Sequence, residues 1–115
     1  MPTNRRLSLQ KSKPPARYLK FQKDYPGVFK AYSALGSATQ KAGPLNAKIR
    51  ALAKLAIAVG ARLEGAVHSH TRRALEAGCT AAEIHQIVLL ATTTIGFPAM
   101  MSALSWVDDV LVRKK

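Results

Sequence analysis

The segment HTRRALEAGCTAAEI, residues 70–84, contains the end of one predicted helix and the start of the next. Gly78 is predicted to end the first helix, because glycine readily adopts the left-handed conformation that closes helices. Thr80 and Glu83 have the spacing of a capping box, in which the threonine oxygen accepts from the Glu83 backbone and the glutamate carboxylate reaches back. The segment therefore predicts two helices joined by a tight turn.

Apolar residues at helical spacing predict two helices before Gly78. Gly43-Pro44 begins a segment whose apolar residues recur every three or four positions, as in an amphipathic helix. A further helix is predicted from about Leu63 to Ala77, and Gly60 either separates the two helices or bends them. The apolar positions of the earlier helix are Leu45, Ile49, Leu52, Ala56, Val59 and Leu63.

The helix that starts after Thr80 is followed by a break and a last helix. Proline cannot donate a hydrogen bond to the preceding turn, so Gly96-Phe97-Pro98 is predicted to interrupt the helix. No segment alternates with period two, and the predicted fold class is therefore all-α, a helical bundle. The inner positions are Ile84, Val88, Ala91 and Ile95, followed by Met101, Leu104, Val107, Val110 and Leu111.

The net charge of +12 is concentrated in the first half of the 115 residues. Residues 1–54 carry twelve Lys or Arg and one acid, Asp24, whereas residues 55–115 carry six basic and five acidic residues. Residues 1–23 contain no acid and no apolar periodicity, which predicts a solvated basic arm. Binding of this arm to nucleic acid or another polyanion is the alternative.

Residues 24–115 are predicted to form one domain, since the chain has the length of a single domain with its own core. In this domain Asp24 is expected to cap a short helix that has Pro26 in its first turn and ends before Gly36.

The cysteine count and the N-terminus predict a reduced, cytoplasmic compartment. Cys79 is the single cysteine, so an intrachain disulfide and a C-x-x-C pair are both excluded. No apolar secretory signal is visible, and the most apolar stretch, residues 84–104, carries too many polar residues for a membrane span. No sequence motif for a cofactor is present, so none is expected.

Two of the three histidines lie within three residues on one predicted helix. His70 shares the face of Val67 and Ala74 and is expected to point inward, where a neutral imidazole can exchange protons near neutral pH. His68 shares another face with Glu64 and is expected at a surface or subunit contact. His70 is therefore the leading acid–base candidate, and a core-edge histidine bonded to a backbone carbonyl is the alternative.

No metal site is expected within one chain. A metal needs three or four converging ligands, and His68 and His70 diverge by about 200° around the helix. A metal ion shared between subunits is the alternative.

The run from Leu45 to Leu111 resembles the carboxymuconolactone decarboxylase and alkylhydroperoxidase (AhpD-like) family. An amphipathic helix, a helix with a histidine at position 70, the sequence ALEAGCTAAEI and a helix broken by GFP follow one another in the family's order. The resemblance implies an all-helical core at about residues 45–111. It also implies interdigitation in a homo-oligomer, usually a trimer or hexamer, with sites near subunit interfaces.

In peroxidase-type members of this family, a helical glutamate precedes a C-x-x-C pair, and a histidine follows the second cysteine by four residues. His70 matches that histidine, whereas Leu63 and Ala66 stand at the cysteine positions and Ala51 stands at the glutamate position. Peroxide reduction by this route needs one thiolate to attack oxygen and a second thiol to resolve the product. Hydroperoxide reductase (peroxiredoxin-like) activity is therefore disfavoured.

Decarboxylase-type members retain the histidine and need no redox pair. The resemblance thus favours cofactor-free lyase chemistry on a small organic acid, with His70 as the central catalytic residue and Glu64 and His68 as further catalytic candidates. Arg73 is predicted to hold the substrate carboxylate, and His85 is predicted to face the site as a second binding residue. A non-catalytic oligomeric scaffold with a polyanion-binding arm is the alternative from another class.

Overall fold

A computed structural model describes residues 14–111, and the expectations for residues 1–13 and 112–115 lie outside the described residues. The described residues before Ala47 form one compact unit, and those from Ala47 onward form another. Within residues 14–111 all regular secondary structure is helical, which confirms the all-α prediction.

The first unit is a pair of helices, α1 (Ala16–Asp24) and α2 (Pro26–Gln40). Aromatic side chains connect the two helices: the Tyr18 and Phe29 rings meet edge to face with centroids 6.0 Å apart. Neither helix contains a buried residue. This unit therefore exposes its apolar side chains, and Tyr32 and Leu35 are each more than 60% accessible.

The structure differs from the sequence-based expectation in this first unit. Residues 16–23 form part of a helix, which the sequence did not predict, although none of them is buried. The Tyr18–Phe29 contact supplies a tertiary partner that local composition does not reveal. The cap of α2 is Tyr25 and not Asp24, and Pro26 occupies the first helical turn. The helix also continues through Gly36, since glycine inside a helix costs only about 1 kcal/mol relative to alanine.

The second unit contains five helices within the described part of the chain. They are α3 (Ala47–Gly60), α4 (Glu64–Glu76), α5 (Ala81–Leu89), α6 (Thr92–Ile95) and α7 (Phe97–Leu111). Helix α4 packs against both α3 and α7, and α5 packs against α3 and α7. The short α6 contacts α7.

The turns of this unit agree with the local sequence signals. Helix α3 ends at Gly60, so the chain breaks there rather than bending. At the end of α4, Gly78 has φ +95°, the Gly78 N–H donates to Leu75 O at 3.0 Å and the Cys79 N–H donates to Ala74 O at 2.9 Å. This pair of backbone hydrogen bonds is a Schellman motif.

The capping box at the start of α5 is confirmed. The Glu83 N–H donates to Thr80 Oγ1 at 3.0 Å, and the Thr80 N–H donates to Glu83 Oε1 at 2.8 Å. The predicted break before the last helix is also present, with Gly96 at φ +100° between α6 and α7. Pro98 lies in the first turn of α7, where no backbone N–H is needed.

The core of the second unit lies between α3, α4, α5 and α7. Two predicted apolar positions of α3 are at least partly buried, Leu52 and Val59, but the buried face of this helix is centred on Leu55. The other positions of the predicted stripe, two of them within α3, are exposed: Leu45, Ile49, Ala56 and Leu63. The buried cluster consists of Leu55, Ala58, Val59, Val67, Ala74, Cys79, Ile84, Val88, Met100, Ala103, Val107 and Leu111.

In the described part of the chain, no helix combines the length and the apolar character that crossing a membrane requires.

Candidate functional site

His70 lies on α4 at the margin of the core. Val67, one turn before it, and Thr71, next to it, are fully buried, whereas the His70 side chain is partly buried. The hydroxyl of Thr71 is satisfied within the helix, because it donates to Val67 O at 2.7 Å. His70 was predicted to point inward, and in the structure its side chain lies between the core and the solvent.

The surroundings of His70 disfavour its protonated form. Burial lowers the pKa of the imidazole below its usual value, and the positive charges of Lys54 and Arg73 lower it further. Lys54 belongs to α3 and Arg73 to α4, so two packed helices place cations near one ring. At neutral pH the imidazole is neutral, and the two cations form an electrostatic environment that favours an anion.

His68 points toward a different set of side chains. Its Nε2 lies 2.9 Å from Asp109 Oδ2 on α7. The carboxylate of Glu64, one turn earlier on α4, belongs to the same cluster, in which one ligand-type atom of each residue lies within 4.8 Å of the others. The predicted sharing of a face by Glu64 and His68 is therefore observed, but their partner is an aspartate 41 residues away in sequence.

His85 forms a second histidine–aspartate pair. Its Nε2 lies 2.7 Å from Asp108 Oδ1, so this pair joins α5 to α7. The candidate residues thus separate into three groups. Arg73 acts electrostatically on His70, whereas His68 with Glu64 and His85 each have a different aspartate of α7 as partner.

Sequence reasoning did not identify Lys54, Asp108 and Asp109. Lys54 lies outside the apolar stripe predicted for its helix, and nothing in the local sequence points to His70 as its neighbour. The two aspartates could have been noticed, because they are adjacent and are the only charged residues between Phe97 and Leu111, in a chain with only six acidic residues. Their histidine partners could not have been assigned, since both pairings are tertiary contacts.

Cys79 does not have the surroundings of a reactive thiol. Its side chain is buried. Burial raises the pKa of the thiol, and the negative charge of Glu83 raises it further, although Lys48 acts in the opposite direction. The fraction of thiolate at neutral pH is correspondingly low.

Two comparisons with known proteins point to the same family. The model of the carboxymuconolactone decarboxylase family matches residues 26–109 of the chain. The chain is also similar to the apo form of a carboxymuconolactone decarboxylase family protein from Legionella pneumophila. That likeness has a TM-score of 0.69 and 26% sequence identity, and it covers 82% of this chain and 84% of the other.

A relative from Haemophilus influenzae, described as an uncharacterized protein, is 42% identical over 52 residues. The matched segment covers 45% of this chain and 46% of the relative, so it spans about half the length of that protein.

Proposed function

This chain belongs to the carboxymuconolactone decarboxylase family, and on that premise we propose that it acts on a small organic acid by cofactor-free acid–base chemistry at His70. The observation that carries the proposal is the electrostatic environment of His70, a partly buried neutral imidazole near Lys54 and Arg73.

The two cations are suited to hold a carboxylate beside the imidazole. The planar guanidinium of Arg73 can donate two parallel hydrogen bonds to a carboxylate, and Lys54 adds a second positive charge from α3. Arg73 thus retains its predicted role as a substrate-binding residue, and Lys54 joins it. His85 has no part in this proposal, because its ring contacts Asp108. The roles first predicted for Glu64 and His68 are likewise set aside here, because both belong to the cluster with Asp109.

Binding of an anion changes the protonation of His70. Without a ligand, the charges of Lys54 and Arg73 oppose protonation of the ring. A bound carboxylate offsets part of this positive field, so the pKa of His70 rises and the ring takes a proton from solvent. Binding of the substrate thereby produces the protonated His70, which then acts as the general acid.

In the reaction we propose, the bond between the carboxylate carbon and its neighbouring carbon breaks and carbon dioxide leaves. The electron pair of that bond stays on the remaining carbon, which takes the proton of the His70 imidazolium. The imidazole is neutral again at the end of the cycle. The substrate must itself delocalise the electron pair, as acids with a carbonyl group two carbons from the carboxylate do.

The thiol-dependent alternative has less support. Leu63 and Ala66 cannot replace two cysteines, and the raised pKa of the buried Cys79 opposes thiolate formation. The scaffold alternative depended on a basic arm whose first 13 residues lie outside the described residues.

Self-association in the cytoplasm is part of the proposal, as the family resemblance implies. Apolar side chains of the second unit support it: Ile57 on α3 is 70% accessible, and Leu63, which precedes α4, is 55% accessible. A second copy of the chain would remove this apolar surface from water.

Release of carbon dioxide from a series of 3-oxo acids and lactone carboxylic acids tests the proposal. His70→Gln should lower kcat by about 100-fold or more, the usual contribution of a general acid. Arg73→Gln should raise KM, and Arg72→Gln is the matched control, because Arg72 is the adjacent arginine and has Glu76 as its charged neighbour. Turnover by His70→Gln at the wild-type rate would contradict the proposal.

A further inference from the structure

We propose that Glu64, His68 and Asp109 form a binding site for a divalent transition-metal ion such as Zn²⁺, distinct from the carboxylate site at His70. The proposal goes beyond the proposed function, and neither depends on the other. It also revises the sequence-based expectation that one chain holds no metal site. That expectation considered only His68 and His70 as a pair of ligands.

The distances between the three side chains are close to those of a metal site. One ligand-type atom from each residue lies within 4.8 Å of the other two, and His68 Nε2 is 2.9 Å from Asp109 Oδ2. Around a tetrahedral Zn²⁺ with bonds of about 2.1 Å, neighbouring ligand atoms are about 3.4 Å apart. A shift of about 1 Å or less in flexible side chains is therefore enough to seat the ion.

The backbone positions of His68 and Asp109 are held by the core, and Glu64 lies on the same helix as His68. Glu64 and His68 lie one helical turn apart on the same face of α4, which places their side chains next to each other. Asp109 comes from α7, which packs against α4. His68 is adjacent to the fully buried Val67, and Asp109 is adjacent to the buried Val110, so both ligands project from anchored positions.

The donor set suits Zn²⁺ or a similar ion. One imidazole nitrogen and two carboxylate oxygens are ligands that Zn²⁺ commonly takes, and three protein ligands leave a position for water. The His68 side chain is 26% accessible and that of Asp109 is 58% accessible, so an ion can enter from solvent. The two carboxylates balance the charge of the ion.

The charge distribution of the chain makes this cluster unusual. The chain has 18 Lys and Arg residues, yet in residues 14–111 neither Glu64 nor Asp109 forms an ion pair with any of them. Their shared neighbour is His68, whose neutral ring can bind either a carboxylate through its N–H or a metal through its lone pair. Two carboxylates that converge on one imidazole in a basic protein therefore leave a local site for a cation.

A second histidine–aspartate pair provides a comparison for this site. His85 and Asp108 also form a histidine–aspartate pair, at 2.7 Å, but among the described residues no third ligand-type side chain joins them. A simple histidine–aspartate contact should bind a metal ion far more weakly than the cluster of three.

Isothermal titration of the purified chain, without a histidine tag, with Zn²⁺ tests the proposal. The expected result is one ion per chain for the wild type. Loss of an outer-shell partner alone costs metal sites about 10–100-fold in affinity, so loss of a ligand in His68→Gln or Asp109→Asn should cost at least about 10-fold. His85→Gln should bind like the wild type.

A second measurement needs no variant. Mn²⁺ added to the wild-type chain should broaden the imidazole NMR signals of His68 before those of His85, because paramagnetic broadening falls steeply with distance from the ion. The proposal is overturned if the wild type binds no Zn²⁺, if His68→Gln binds it as tightly as the wild type, or if Mn²⁺ broadens both histidines equally.

Discussion

His68 Nε2 on α4 lies 2.9 Å from Asp109 Oδ2 on α7. The adjacent residue, Asp108, contacts His85 of α5 in the same manner. Two consecutive aspartates of one helix therefore contact histidines of two other helices. His70, two residues after His68, has cations as its charged neighbours instead. These cations, together with burial, favour the neutral form of the His70 imidazole.

Removal of the His85–Asp108 contact should have little effect on stability. Both side chains are between 40% and 50% accessible, and exposed ion pairs contribute about 0–1 kcal/mol because water screens them. We expect His85→Gln to lower the free energy of unfolding by less than about 1 kcal/mol in urea titrations. A loss above about 2 kcal/mol would show that the contact is buried in the folded protein.

The capping box of α5 should contribute measurably to folding. Thr80→Ala removes the acceptor of the Glu83 N–H, and loss of such a cap costs about 0.5–2 kcal/mol. Ser105→Ala is the matched control, since the exposed Ser105 hydroxyl donates only to Ser102 O of its own helix. Its free energy of unfolding should change by less than about 0.5 kcal/mol. Equal effects of the two substitutions would contradict a role for the cap.

Two glycines next to or within α4 should respond in opposite ways to alanine. Gly78 has φ +95°, where a side chain is strained, so Gly78→Ala should cost about 1–2 kcal/mol. Gly65 lies in the helix with open space around its Cβ position, so Gly65→Ala should be neutral or stabilise by up to about 1 kcal/mol. Urea unfolding of both variants gives the comparison, and a stabilised Gly78→Ala would contradict the left-handed turn.

The lowered pKa of His70 makes stability depend on pH. The unfolded chain binds the His70 proton below about pH 6.5, whereas the folded chain binds it only at lower pH. The unfolded state thus holds more protons in this window, and stability falls as the pH drops through it. The free energy of unfolding should fall more between pH 7.5 and pH 5.5 in the wild type than in His70→Gln. His68 and His85 are present in both proteins, so an identical fall would mean that the pKa of His70 is not lowered.

Local sequence signals predicted the parts of this fold that depend on neighbouring residues. The glycine turn at position 78, the Thr80–Glu83 cap and the break at Gly96 each follow from interactions within about five residues. The helix at Ala16–Asp24 was missed, because its contact with Phe29 comes from the next helix. The buried face of α3 was misplaced for a similar reason, since the packing of α4 and α5 determines which side of α3 is covered.

The candidate site was predictable in its central residue but not in its surroundings. His70 could be selected from spacing and from the family resemblance. The cation from Lys54 and the aspartates of α7 enter through packing of helices that are distant in sequence. Charge alone could have drawn attention to Asp108 and Asp109, because acidic residues are rare in this chain. Their histidine partners, however, come from other helices and could not be assigned from the sequence.

The most direct test of the central claim is an NMR titration of the His70 imidazole in the intact chain, with and without a small carboxylic acid, assigned by comparison with His70→Gln. We predict a pKa below the usual 6.5 for the free protein and an upward shift when the acid is added, because the anion offsets the charges of Lys54 and Arg73. A His70 pKa that stays unchanged with every acid tested would contradict a carboxylate site at this residue.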